Sequence, residues 1–187
     1  MYRSNGKLYK AEGIILSRRN VGEADRILTI FTREYGKIRC VAKGIRRVSS
    51  RRAPHLEIFT RVGLMIHRGG SMDSVTEATP IDVYQHLRQD LERVSMAYFY
   101  CELISVLLAE HQEHADVYLL LCTTLSNLDT QTGTLDPMVF REFTLELLWT
   151  LGFLPRGQRL QGEKLQSFVE NIAERRLRTP KLVRQLL

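Results

Sequence analysis

Cysteine is scarce in this 187-residue chain: Cys40, Cys101 and Cys122 are far apart, and each sits in an apolar stretch. An odd, scattered set excludes a disulfide framework. Without a Cys-x-x-Cys pair the usual zinc frame is missing too. Each cysteine therefore reads as a reduced, buried small hydrophobe. No apolar run approaches the ~20 residues that a membrane-spanning helix needs. The opening stretch, Met1 to Lys7, has no apolar core and no small-residue cleavage site, so no signal peptide is expected. Together these absences point to the cytosol. The phosphate-cradling Gly-x-x-x-x-Gly-Lys loop, the Gly-x-Ser-x-Gly elbow and the His-Glu-x-x-His zinc signature are all lacking. The acidic residues of the middle region are dispersed along predicted helices. No catalytic constellation is visible, so the expectation is a protein that is not an enzyme and needs no cofactor. His111-Gln112-Glu113-His114 could offer two imidazoles on one helix turn, with Glu110 or Glu113 as a third ligand. A strong third ligand is missing, and no metal is expected there.

What the chain does have is charge, unevenly spread. The formal net charge is +6. Residues 1–80 hold 16 Lys/Arg against 7 Asp/Glu, residues 81–155 hold 3 against 11, and residues 156–187 hold 8 against 3. A basic front on an acidic middle implies two units with different partners, the front attracting a polyanion such as nucleic acid.

Hydrophobic periodicity divides the chain at the same place. Up to about Ala78 the pattern is strand-like. Glu12–Ser17 is short and apolar, and Arg26–Thr32 is apolar on both faces. Lys37–Ala42 alternates, with Lys37, Arg39 and Val41 on one face and Ile38, Cys40 and Ala42 on the other. Glu34-Tyr35-Gly36 reads as a hairpin turn in which Gly36 takes positive φ. Leu56–Ile66 reads as a longer fourth strand, bent or bulged at Gly63, and Ser74–Ala78 as a fifth. Five strands in under 80 residues predict a small closed barrel of the OB type.

From Ile81 the period becomes 3.6. Leu87, Leu91, Val94, Tyr98, Cys101, Ile104 and Leu108 predict one face of a long helix. Val117, Leu121, Thr124 or Leu125, and Leu128 predict a second. Asp136-Pro137 is a helix start, with Phe140, Phe143, Leu147 and Leu151 as the buried stripe and Gly152 and Pro155 as the stop. Trp149, Phe153 and Leu154 at its end read as core. Leu165, Phe168, Val169, Ile172 and Ala173 predict a fourth helix, and Thr179-Pro180 the start of a short last one. The fold class is therefore α+β: a barrel over residues 1–80 and a helical domain over 81–187.

Lys43-Gly44-Ile45-Arg46-Arg47-Val48-Ser49-Ser50-Arg51-Arg52 carries five cations in ten residues between two strands. It reads as a mobile loop that wraps a phosphate backbone, with Lys37 and Arg39 on the strand face leading into it. Arg18, Arg19 and Arg26 extend the same basic surface, and the basic end around Arg175 and Arg176 is the next candidate. Of the barrel's rings, Phe31 and Phe59 read as core, and Tyr35 is the better candidate for stacking a base.

The run Tyr9–Leu16, then Gly22-Glu23-Ala24-Asp25-Arg26-Ile27-Leu28-Thr29, resembles the opening of the bacterial RecO recombination mediators. The likeness continues through Gly36–Arg47, His55-Leu56-Glu57 and Ser71-Met72-Asp73, and covers about residues 8–155. The resemblance implies an OB barrel followed by a helical domain. It implies binding of single- and double-stranded DNA, annealing of complementary strands, and help in loading RecA onto DNA coated by single-strand-binding protein. The partners it implies are RecR, RecA and that coating protein, in a cytoplasmic, nucleoid-associated setting. Many members place a four-cysteine zinc element after the Leu-Gly-Phe segment. Here Leu151-Gly152-Phe153-Leu154-Pro155 runs into Arg156-Gly157-Gln158-Arg159 with no cysteine following. The expectation is that this element is deleted and the last helices shortened. The alternative reading is a protein–protein adaptor that docks through its helical domain and has little DNA affinity of its own.

Overall fold

The computed structural model describes residues 7–131, 133 and 137–178. They form two compact units, one running up to Val83 and including Ala109–Ala115, the other made of Tyr84–Leu108 and the chain from Asp116 onward.

The first unit is a closed five-stranded barrel. Its strands are β1 (Leu8–Val21), β2 (Asp25–Thr32), β3 (Gly36–Ala42), β4 (Arg61–His67) and β5 (Asp73–Asp82), in the order β1-β2-β3-β5-β4. All pairings are antiparallel except β3 with β5, the OB-type arrangement expected. Alternation makes the core. Ile38, Cys40 and Ala42 of β3 and Val62, Leu64 and Ile66 of β4 point inward, with Ile15, Leu28, Ile30 and Val75. Each fully buried aliphatic side chain contributes about 1.5–3 kcal/mol. The turn into β3 is the hairpin read from Glu34-Tyr35-Gly36. Thr32 Oγ1 donates to the Gly36 carbonyl at 2.8 Å and accepts from the Tyr35 N–H at 3.1 Å. Gly36 takes a φ of 65°.

The fourth strand is shorter than the sequence predicts. Ala53–Leu56 is a 3-10 turn with proline at its start, and the strand begins only at Arg61. Pro54 fixes φ and removes a ladder donor, and Phe59 sits at a φ of 73°, so the run cannot stay extended. Leu56 is nonetheless fully buried. The segment docks on a bulge in β1, where the register shifts between Ile15 and Ser17. The Phe59 N–H donates to the Ile15 carbonyl at 2.8 Å, and the Ile15 N–H to the Thr60 carbonyl at 3.1 Å. Gly63 itself is regularly paired; the register shifts lie on either side of it, at Arg61/Val62 and Met65/Ile66.

The parallel closure is slight. Only Cys40 and Val41 of β3 pair with β5, opposite Asp73 and Ser74. Ahead of them, the rest of the β3 edge is met by Ala109–Ala115. Lys37 and Glu110 form a parallel bridge. The His111 N–H donates to the Lys37 carbonyl at 2.9 Å. This strap passes so close to Gly36 that a Cβ there would stand 1.9 Å from the Gln112 carbonyl oxygen.

In the second unit, helices α1 (Leu91–Leu107), α2 (Ala115–Thr130), α3 (Pro137–Thr150) and α4 (Gly162–Ile172) follow. The Asp90 carboxylate caps α1, accepting from the N–H groups of Glu92 at 2.9 Å and Arg93 at 3.1 Å. The stripe predicted for α1 is only partly correct, because Leu91 is 82% and Tyr98 43% exposed. The helix buries Met96, Ala97, Phe99, Tyr100, Leu103 and Ile104 instead, so it is covered on several sides and no single stripe describes it. Phe99 and Tyr100 meet Phe140 and Phe143 of α3, with ring centroids 4.1 Å (Phe99–Phe140) and 4.3 Å (Tyr100–Phe143) apart. The α2 stripe of Val117, Leu121, Thr124, Leu125 and Leu128 is buried as read. Gly152 ends α3 at a φ of 74°. Of the three residues read there as core, Leu154 is buried, Phe153 is 40% exposed and Trp149 is half-buried. The reading of Asp136 as a cap and of Thr179-Pro180 as a helix start falls outside the described residues.

Candidate nucleic-acid interface

The ten-residue basic segment between β3 and the Ala53–Leu56 turn is anchored at both ends. The Gly44 N–H donates to Asp25 Oδ1 at 2.7 Å, and the Arg46 N–H to the Ala24 carbonyl at 2.9 Å. Between them Ile45 is buried in the barrel core. At the far end the Arg52 guanidinium donates to the carbonyls of Val75, Thr76 (3.4 Å) and Lys43 (2.9 Å). The loop closes on itself through Arg47 N–H to Gly44 O at 3.2 Å and Ser50 N–H to Arg47 O at 2.9 Å. Its anchoring explains why Gly-Glu-Ala-Asp-Arg and Lys-Gly-Ile-Arg-Arg occur together: the first supplies the acceptors that shape the second.

The five cations of the loop divide into two groups. Arg52 faces inward and holds backbone. Lys43, Arg46, Arg47 and Arg51 are exposed, with Arg46 Nη1 also reaching the Gly22 carbonyl at 3.3 Å. Arg52→Ala is therefore expected to destabilise the barrel by about 2 kcal/mol, the usual worth of hydrogen bonds to a charged group. Arg47→Ala should stay within about 0.5 kcal/mol of the parent. Urea denaturation of the two variants side by side checks this, and equal stabilities would contradict it.

The remaining predicted cations are placed as follows. Arg18 and Arg26 share one carboxylate, Glu57, with Arg26 at 3.2 Å. Arg26 also donates to Asn20 Oδ1 at 3.2 Å. Arg39 pairs with Glu110 of the strap at 2.9 Å. Lys37 is buried to 8% exposure, so the face leading into the loop does not present both of its cations to solvent. Arg19 is exposed, as are Arg175 and Arg176, which belong to the other unit. Sequence reasoning passed over Lys10, Arg33 and Arg68, which are exposed on the barrel. Only their charge could have marked them.

The rings are largely committed. Phe31 and Phe59 are buried, as read. Tyr35 is half-buried edge-on against Tyr9, with centroids 4.9 Å apart. Tyr9 donates to Asp73 Oδ2 at 2.6 Å and carries the Arg68 guanidinium 5.1 Å from its ring centre. The barrel thus offers charge more readily than stacking.

Cys40 and Cys101 are buried, as read, and Cys122 only partly so. Burial pushes the Cys40 thiol up to about 12, with the Asp73 charge adding to it, and raises the Cys101 thiol as well. His111 and His114 lie in the strap, not on a helix turn, and His111 has a φ of 61°. Among the described residues no three His, Cys, Asp or Glu side chains come together as metal ligands would. A hollow of about 370 Å³ on the barrel is lined by Lys10 together with Glu12, Glu34 and Glu77. That charge is wrong for a phosphate backbone. A second hollow of about 420 Å³ between α2 and α3 is lined by Leu120, Val139 and Phe143, with Glu142 and Glu146 also in its wall. Among the described residues no helix is long and apolar enough to cross a membrane.

Two family models match the chain in order: the N-terminal part of Recombination protein O over residues 7–84 and its C-terminal part over residues 88–160. The chain is 39% identical over 150 residues to the DNA repair protein RecO of Roseiflexus sp. (strain RS-1), covering 80% of this chain and 52% of that protein. It is 35% identical over 165 residues to its counterpart in Desulfitobacterium hafniense, covering 84% and 59%. Over 109 residues it is 44% identical to that of Bifidobacterium adolescentis, covering 58% and 44%. The chain spans about half the length of the curated relatives it matches.

Proposed function

The chain belongs to the RecO family, and from that premise we propose that it binds DNA through the anchored basic loop and anneals complementary strands in recombinational repair. The observation that carries this reading is the group Lys43, Arg46, Arg47 and Arg51, exposed on a loop whose two ends are fixed by Asp25 and Arg52. A fixed loop keeps its charges together without ordering the chain anew on each encounter. Phosphate contacts release condensed counterions and carry no base information, so single and double strands are both held. Two strands gathered on one cationic surface repel each other less, and complementary bases can then pair. No covalent step is involved.

In the wider reaction the protein would help to load RecA onto DNA coated by single-strand-binding protein, together with RecR. The relatives' name, DNA repair protein RecO, and the match along both domains support that placement. The test is a salt titration of the intact chain with a labelled single-stranded oligonucleotide. Four phosphate contacts give a slope of log affinity against log salt of about −3, at ~0.7 per contact. Absence of salt-dependent binding would overturn this reading and leave the adaptor reading, for which the hollow between α2 and α3 is the docking place.

A further inference from the structure

The end of α3 is built in a way that a core-forming helix end is not. Trp149, the one tryptophan of the chain, is only half-buried, and its indole N–H donates to the Gln158 carbonyl at 2.9 Å. The Arg159 guanidinium lies over that ring, 5.9 Å from its centre. Arg159 is oriented by a two-bond pair with Glu142, at 2.9 and 3.0 Å. Arg156 pairs with Glu146 at 3.1 Å while its side chain stays 80% exposed. The turn that carries them is fixed. Gly152 takes a positive φ, the Phe153 N–H donates to the Leu148 carbonyl at 3.0 Å, and Leu154 is buried beneath. With Leu154 buried, Phe153 is left 40% exposed. Lys164 lines a shallow hollow beside Arg159. Phe153, Arg156 and Arg159 thus lie on the short connection between α3 and α4, with Trp149 at the end of one helix and Lys164 at the start of the other.

Rings that present a face, interleaved with guanidinium planes, suit unpaired nucleobases on a phosphate strand. A duplex keeps its bases stacked inward and offers such rings nothing. We propose that this turn of the helical unit is a second nucleic-acid site, specific for single strands. Trp149 and Phe153 pack on unstacked bases, while Arg156 and Arg159 exchange Glu146 and Glu142 for phosphates. The proposal rests on the DNA-binding reading and adds to it a discrimination that the barrel loop, touching phosphates alone, does not supply. A strand held by its bases on one unit and a strand held by its phosphates on the other would then be available together for annealing.

Because Trp149 is the sole tryptophan, its emission reads the site directly in the intact chain. An oligodeoxythymidylate is titrated while the anisotropy of a labelled copy reports total binding. The expected result is a saturable fall in Trp149 emission with the anisotropy midpoint, reduced quenching of the indole by acrylamide, and neither change with a blunt duplex of the same length. Phe153→Ala, at an exposed position, should weaken single-strand binding about fivefold, the low end of one lost stack, and leave duplex binding unchanged. If anisotropy reports binding while Trp149 emission and acrylamide access stay constant and Phe153→Ala binds as the parent does, the proposal is overturned and the barrel reading stands. If anisotropy reports no binding at all, both fall.

Discussion

Replacing Lys43, Arg47 and Arg51 together with alanine should weaken single-strand binding about 50-fold at 0.15 M salt and duplex binding by more, since each phosphate contact on a duplex releases more counterion. The slope of log affinity against log salt should become shallower by about 2 for single strands, at ~0.7 per lost contact. These three side chains are exposed at the surface of the anchored loop, and among the described residues none of them has an ion-pair or side-chain hydrogen-bond partner that would compete with a phosphate. Arg52 and Arg46 stay in place, since the first holds the carbonyls of Val75, Thr76 and Lys43 and the second reaches Gly22. Thermal stability should therefore be unchanged, and annealing should fall in step with binding. A folded triple variant with the parent's affinity and slope would move the DNA off this loop, to the exposed Arg175 and Arg176 or to the Trp149 turn.

Gly36→Ala should be the most damaging single methyl added to the barrel, at a cost of about 3 kcal/mol or more. A left-handed φ costs an L-residue roughly 1–2 kcal/mol, and here the new Cβ would also stand 1.9 Å from the Gln112 carbonyl oxygen. That oxygen is backbone, so the strap must lift, losing the His111 N–H bond to Lys37 and the Arg39–Glu110 pair with it. Gly22→Ala is the matched control. Gly22 has a φ of 56° and nothing within 4 Å of its Cβ position, so only the backbone term applies. Denaturant titration of both variants should place Gly36→Ala well below Gly22→Ala. Equal midpoints would show that the strap is not held at β3.

Much of this fold was legible because the barrel obeys period 2 where it matters. Ile38, Cys40 and Ala42 are inside, as alternation required, and Gly36 has the positive φ that its turn demanded. The fourth strand misled because Leu56 and Phe59 are as buried as strand residues would be, although they come from a 3-10 turn and a left-handed residue. Burial alone does not distinguish these cases; Pro54 was the local sign. The α1 stripe failed where a helix is covered on more than one side, so Leu91 and Tyr98 carried no information about facing. The cations of the candidate site were visible as charges, but their roles were not. Arg52 is spent on backbone carbonyls that lie more than twenty residues away in Val75 and Thr76, and Arg18 and Arg26 on a glutamate more than thirty residues away. Such pairings are set by tertiary structure and leave no periodic trace. Trp149 and Phe153 were read as core because large rings usually are; the turn at Gly152 that exposes Phe153 acts after the helix has ended.

The strap also sets an order of events during synthesis. β3 leaves the ribosome with its Gly36–Arg39 edge uncovered, and the segment that covers it, Ala109–Ala115, follows only after all of α1. At ~5–20 residues per second the nascent barrel waits on the order of seconds with that edge open. An open edge is a template for wrong pairing with a neighbouring chain, and short length and charge are the usual protection. This one is four residues long before the β5 pairing begins, and Lys37 and Arg39 occupy it. These two cations, one buried and the other paired with Glu110 in the finished barrel, would thus serve, earlier in the life of the molecule, to keep a half-made barrel from finding another of its kind. A chain released after β5 would stay at that stage.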